Sequence, residues 1–186
     1  MGPLAGLRVL DLSSVLMGPY ATQILGDYGA EVIKVEAPAG DLVREITPAR
    51  TPGMGAMYLN TNRSKESIVL NLKTEEGRAA VLRMVAQSDV VVTNVRPRKM
   101  DRLGLSWEGL RQTNPKVIYA ALVGFDQQGP YAGRPAYDDL IQGLSGTASL
   151  LPRVDGNPAP RFLPTAIAEV TGGEGFDFTM ECIGMP

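Results

Sequence analysis

Short runs of β-branched and aliphatic residues alternate with stretches of helical periodicity along most of the chain, and this alternation restricts the fold more than any other feature. Arg8-Val9-Leu10-Asp11-Leu12 reads as a strand, a Ser-Ser turn follows, and Gly18-Pro19 opens a helix with apolar positions Ala21, Ile24 and Leu25. Gly26 and Gly29 bracket the helix end, and Glu31-Val32-Ile33-Lys34-Val35-Glu36 gives a second strand before a Pro/Gly loop beginning at Ala37. The opening unit is βαβ. Ser67-Ile68-Val69-Leu70-Asn71-Leu72 is a third strand, and Thr74-Glu75-Glu76 supplies a hydroxyl cap and early acids to a helix carrying Val81, Leu82 and Val85 on one face. Asp89-Val90-Val91-Val92-Thr93 follows as a strand. Ser106 caps a short helix containing Trp107, Leu110 and Arg111, and Asn114-Pro115 stops it before residues 117–123, expected as a central strand. Residues 137–145 look helical. Parallel neighbours need crossover helices, so the pattern predicts an α/β fold, a Rossmann-like, mostly parallel sheet with flanking helices.

Composition narrows the chemistry. A chain of 186 residues, 44% of them hydrophobic, can bury a core. It contains no His, so within it no Ser-His-Asp or Cys-His pair forms and no imidazole acts as base or metal ligand. The lone Cys182 makes neither an intrachain disulfide nor a Cys-rich zinc site, and no metal is expected. Eighteen Lys and Arg stand against 20 Asp and Glu in mixed-sign segments, which leaves no electrostatic footprint for nucleic acid. No run approaches about 18 uninterrupted apolar residues, and residues 1–20 lack the parts of a signal peptide. The expectation is a cytoplasmic protein without a membrane partner.

Two places invite a ligand. Glu36, at the tip of the second strand, stands where an acid would hold the ribose of a dinucleotide, the alternative being a solvated strand end. The first turn, Ser13-Ser14-Val15-Leu16-Met17-Gly18-Pro19, offers a single Gly where G-x-G-x-x-G needs three, so an NAD-dependent oxidoreductase is a weak reading. The second place is Asn94-Val95-Arg96-Pro97-Arg98-Lys99-Met100-Asp101-Arg102, just beyond the carboxyl end of the 89–93 strand. Ligands of open α/β sheets bind at such ends, and guanidinium forks pair bidentately with phosphate oxygens. A ligand with three phosphates would suit these cations; the alternative is a solvated helix start.

Several segments together resemble a known family. They are residues 3–13, Gly18-Pro19, residues 29–36, Gly40-Asp41, Asn62-Arg63-Ser64-Lys65, Leu72-Lys73-Thr74, Arg102-Leu103-Gly104, Asn114-Pro115, Gly124-Phe125, Gly129-Pro130, and Tyr137-Asp138 leading to Gln142 and Ser145-Gly146. In order and spacing they resemble the class III CoA-transferases, the CaiB/BaiF family, from residue 3 to about residue 173. The resemblance implies an enzyme that moves CoA from an acyl-CoA to a carboxylic acid, both bound as substrates, through a carboxylate nucleophile. A carboxylate is ionised at neutral pH and needs no imidazole, which accords with the absence of His. The family's nucleophile is an Asp shortly after a G-x-P loop; here Asp155-Gly156-Asn157-Pro158 is the matching loop and the position holds Glu169.

By the same comparison Val15 and Met17 fall in the turn that lines the CoA site. Leu72, Lys73, Asn94, Val95 and Arg102 fall in segments that contact the nucleotide and pantetheine, and Tyr137 lies near the thioester. Val15, Met17, Leu72 and Val95 could equally be core residues, whereas Lys73, Arg96, Arg98 and Arg102 suit phosphates. The related racemases need a His where Tyr137 stands, which makes racemase activity the weaker member reading. The resemblance further implies one CoA-binding domain over residues 1–173, a divergent tail over residues 174–186, and no counterpart of the family's second small domain. Uncovered sheet edges or an apolar patch would then favour a homo-oligomer, a dimer or larger assembly. A catalytically inactive binding or assembly module of the same fold is the alternative function.

Overall fold

The computed structural model describes residues 2–150, 159, 161 and 162; Glu169 and the 174–186 tail lie outside the described residues. The chain divides into two compact units, one running to Leu122 and the other beginning at Val123.

The first unit holds a parallel sheet in the order β3-β2-β1-β4-β5, built from β1 (Arg8–Asp11), β2 (Glu31–Glu36), β3 (Glu66–Val69), β4 (Val90–Thr93) and β5 (Ile118–Ala121). Leu10 pairs with Ile33 on one side and Val91 on the other, which makes β1 the central strand. Successive side chains of a strand face opposite ways, and the core divides accordingly. Leu10 and Val91 meet Val81 and Val85 of α3 (Glu75–Val85), Met100 of α4 (Pro97–Arg102) and Leu110 of α5 (Trp107–Thr113) on one face. Val9 and Val92 meet Met17 and Leu25 of α1 (Met17–Asp27) on the other. The two sets of helices take opposite faces because the chain first steps from β1 toward β3 and then reverses toward β5, while each crossover stays right-handed. Each fully buried Leu or Val contributes about 1.5–3 kcal/mol.

The expected caps are in place: Thr74 Oγ1 accepts from Gly77 N at 3.2 Å and Ser106 Oγ from Gly109 N at 3.3 Å. Two features differ from the sequence expectations. The 117–123 run forms an edge strand rather than a central one, with Ile118 61% exposed. Its apolar composition reflects Val117 and Leu122, buried at its two ends, and composition carries no information on strand order. The Pro/Gly loop after β2 contains a helix, α2 (Ala56–Thr61), whose six residues are too few to show a period. In the second unit α6 (Asp138–Ser145) starts with Asp138 and Asp139 in its first turn and closes on Gly146 at φ 77°, where glycine avoids Cβ strain. Among the described residues no helix is long and apolar enough to cross a membrane.

Candidate functional site

The strand order reverses between β1 and β4, so the crevice of the sheet opens at their carboxyl ends, between the β1–α1 turn and the β4–α4 turn. Asn94 joins the two turns. Its Oδ1 accepts from Ser14 N at 3.0 Å, and its Nδ2 donates to the Ser14 carbonyl at 2.7 Å. The side-chain amide thereby serves both backbone groups of one residue, as a paired strand would. Val95, the next residue, donates its N–H to Thr93 Oγ1 at 3.1 Å and packs partly buried against the core.

Val15 is the unusual member of the turn. It sits at φ 72°, in the left-handed region that a β-branched residue rarely enters, and is 41% exposed. Its N–H is donated to both carboxylate oxygens of Asp41, at 3.1 and 3.2 Å. Val15 is therefore not a core residue, whereas Met17 and Leu72 are partly buried against the two core clusters. Gly18 is needed for close approach, since a Cβ there would overlap the Ser13 side chain.

Beneath the turn lie two ion pairs whose side chains are almost wholly buried. Lys34 Nζ meets Asp41 Oδ2 at 3.0 Å and also donates to the Ser13 carbonyl at 3.0 Å. Lys65 Nζ meets Asp11 Oδ2 at 3.0 Å and donates to the Pro19 carbonyl at 2.7 Å and Asn62 Oδ1 at 2.9 Å, so its three protons are matched. Asp11 also accepts from Ser13 N at 2.9 Å, from the Ser13 hydroxyl and from Thr22 Oγ1 at 2.6 Å. Burial pulls the Lys65 ammonium down to about 8 even though Asp11 opposes the shift.

Glu36 is neither a free ribose acceptor nor a solvated strand end. It is buried, and its carboxylate takes the Arg44 fork through Nε to Oε2 and Nη2 to Oε1, each at 2.7 Å, with Tyr58 Oη at 2.9 Å, Ser67 Oγ at 2.6 Å and Asp41 N at 3.0 Å. Burial raises its pKa, but the bonds from Arg44, Ser67, Tyr58 and Asp41 outweigh burial and hold it at about 2. Every lone pair is engaged, so no acceptor remains for a ribose hydroxyl.

The cations beyond β4 have the opposite character. Pro97 opens α4 and buried Met100 anchors it, while Arg96, Arg98, Lys99 and Arg102 are exposed and make no ion pair among the described residues. Lys73, after β3, is likewise exposed and makes no ion pair among the described residues. Three strand spacings separate β3 from β4, about 14 Å at the usual interval, so Lys73 and Arg96 flank the switch point from its two sides. The sheet thus brings Val15, Met17, Asn94, Val95 and Arg96 together, with Arg98 and Arg102 along α4 and Leu72 and Lys73 across the carboxyl edge. Tyr137 belongs to the second unit, where it precedes α6 and is 71% exposed.

Comparison with known proteins decides what this sheet belongs to. The family model for CoA-transferase family III matches residues 4–174. This chain belongs to CoA-transferase family III. The acetyl-CoA:oxalate CoA-transferase of Acetobacter aceti is 47% identical over 174 residues, 92% of this chain and 44% of that protein. The succinate–glutarate CoA-transferase of Agrobacterium fabrum is 47% identical over 163 residues, 84% of this chain and 41% of that protein. A CaiB/BaiF family protein from Brucella suis superimposes with a TM-score of 0.82 at 41% identity, over 90% of this chain and 45% of that one. The family III chain in hand therefore spans under half the length of these relatives.

Little in the local sequence marks the buried groups of this family III chain. Gly40-Asp41 and Asn62-Arg63-Ser64-Lys65 stand out only as segments that match the family, and Lys34 only as part of a strand. One signal is present: Lys34 stands between Ile33 and Val35 inside β2, and a cation among such residues needs a buried partner. Which partner it finds depends on the fold, because Asp41 reaches it from the loop after β2.

Proposed function

We propose that this chain is the CoA-binding part of an enzyme that transfers CoA from an acyl-CoA thioester to a free carboxylic acid. The observation that carries the reading is the exposed cation set Arg96, Arg98, Lys99 and Arg102, without an ion pair among the described residues, at the switch point of a family III sheet. A ligand with a diphosphate and a further phosphate matches cations that make no ion pair among the described residues. Arg96, Arg98, Arg102 and Lys73 hold the phosphates; Val15, Met17, Leu72, Asn94 and Val95 line the nucleotide and pantetheine; Tyr137 lies by the thioester. The two relatives at 47% identity carry names with different acids, so the reaction class comes to this chain and the particular acid does not.

Glu169 is the nucleophile of this reading. Its carboxylate attacks the thioester carbonyl, a C–O bond forms, the C–S bond breaks, and CoA leaves as thiolate. The thiolate then attacks the Glu169 carbonyl of the mixed anhydride, which releases the donor acid and leaves a thioester on the enzyme. The acceptor carboxylate displaces CoA from that thioester, and the thiolate takes the acceptor acyl group from the new anhydride, which regenerates Glu169. A second reading, CoA binding without turnover, follows from Glu169 itself. The methylene that distinguishes it from the family's Asp moves the oxygens by roughly 1.5 Å, and misplacement on that order can cost about a hundredfold in rate.

We place the protein in the cytoplasm as a homodimer. The exposed edges β3 and β5, with Val69 and Ile118 turned to solvent, support a self-pairing surface, and a stable monomer in a sedimentation measurement would contradict it. Intact mass after incubation with an acyl-CoA tests the chemistry. A covalent adduct that disappears in Glu169→Ala supports transfer, and CoA binding without an adduct selects the second reading.

A further inference from the structure

The β1–α1 turn holds a residue in a conformation it does not favour, next to a buried ion pair that no catalytic step uses. Val15 sits at φ 72° with 41% of its surface exposed, and the polar groups around its backbone impose the conformation from outside. The groups that impose it can be named. Asp41 accepts the Val15 N–H on both oxygens, Asn94 fixes both backbone groups of Ser14, and Lys34 binds the Ser13 carbonyl. Lys34 also pairs with Asp41 at 3.0 Å, with both side chains out of solvent, so the acceptor of Val15 is itself held at a fixed place and charge.

We propose that Asp41, held by Lys34, is a positioning residue that keeps Val15 left-handed and so presets the first turn of the sheet for the CoA moiety. This rests on the CoA-binding reading given above. The two ion pairs differ in what they touch. Lys65–Asp11 secures the base of the turn through Ser13, Thr22 and Pro19, which is scaffold, whereas Lys34–Asp41 ends on the backbone of the exposed residue. Asp41 also accepts from Val43 N at 3.3 Å and donates its own N–H to Glu36 Oε2, so hydrogen bonds tie the loop after β2 to the turn. The energetic logic is that a left-handed valine relaxes to negative φ once its N–H has no anionic acceptor, and the turn then shifts. A glycine at the same position has no such tendency.

That difference supplies the test. The paired replacement Lys34→Met with Asp41→Leu removes the acceptor and leaves no buried charge without a partner, a change that chains commonly accept without loss of stability. CoA affinity is measured by calorimetric titration for the unmodified chain, the paired replacement, Val15→Gly, and the combination of all three substitutions. The expected result is a loss of about tenfold in affinity from the paired replacement when Val15 is present, and of less than about threefold in the Val15→Gly background. Equal losses in the two backgrounds, or no loss in either, overturn the proposal. If the unmodified chain fails to bind CoA, the CoA-binding reading falls and takes this inference with it. Amide exchange on the unmodified chain needs no variant at all. A Val15 N–H protected relative to Leu16 supports the proposal, and a Val15 N–H that exchanges at the free-loop rate overturns it.

Discussion

The turn after β1 and the turn after β4 face the same crevice, yet they are built on opposite principles. In the first, the polar backbone groups of Ser13, Ser14 and Val15 are taken up by buried acids, an ammonium and an amide, and the backbone is held in a strained shape. In the second, the arginines and Lys99 reach into solvent with no partner among the described residues, on a helix secured by the single buried side chain of Met100. The first turn contributes shape and the second contributes charge. Buried ion pairs such as Lys34–Asp41 are costly to desolvate and specify one arrangement, whereas exposed guanidinium groups keep their charge available for whatever anion arrives.

The largest effect is expected from unbalancing the buried side. Asp11→Ala leaves the Lys65 ammonium buried without its acid and takes the acceptor from Ser13 and Thr22. A loss of about 3–5 kcal/mol is expected in urea unfolding. A loss below about 1 kcal/mol would mean that the pair contributes as little as a surface bridge. On the exposed side Arg98→Ala should leave unfolding within about 0.5 kcal/mol of the unmodified chain while CoA affinity falls by about tenfold. A reversed pattern, stability lost and affinity kept, would erase the contrast between the turns.

Titration separates the buried groups by sign. Lys65 has a folded pKa of about 8 against an ordinary value of 10.5, so between those values the unfolded chain binds more protons and stability should rise with pH. Tyr58 and Tyr119 are pushed up to about 12, Tyr58 by burial and then Glu36, Tyr119 by burial and then Asp101 and Glu108; their contribution falls above pH 10. Denaturant midpoints should therefore increase from pH 8 toward 10, and Lys65→Met should flatten that limb. Glu36, held at about 2 against 4.5, gives stability that is whole above pH 4.5 and drains away as the pH falls toward 2. Glu36→Gln should flatten that acid limb. The smallest change is expected from Thr74→Ala, at about 1 kcal/mol in urea unfolding for a lost N-cap.

The same contrast explains what could be read in the amino-acid sequence. Strands β1, β2 and β4 were legible because buried parallel strands leave continuous apolar runs, and the caps at Thr74 and Ser106 because they act within three residues. The α4 cations were legible because they are contiguous. The contacts that hold the β1–α1 turn were not, since Asp11 and Lys65 are 54 residues apart and Ser14 and Asn94 are 80 apart, and only the strand order brings them together. The role of Glu36 is hidden in the sequence for the same reason: its partners Arg44, Tyr58 and Ser67 come from a loop, a short helix and the next strand. The left-handed valine has no signature at all, because nothing in Ser13-Ser14-Val15-Leu16-Met17 marks a residue that distant side chains will hold at positive φ.

The most direct test of the account is a thermal-shift comparison of CoA, dephospho-CoA and NAD on the unmodified chain, because a ligand that binds only the folded state raises its unfolding temperature. The account predicts a cooperative transition raised by CoA, raised less by dephospho-CoA, which lacks one phosphate, and unmoved by NAD. A transition indifferent to CoA, or raised by NAD alone, would contradict it.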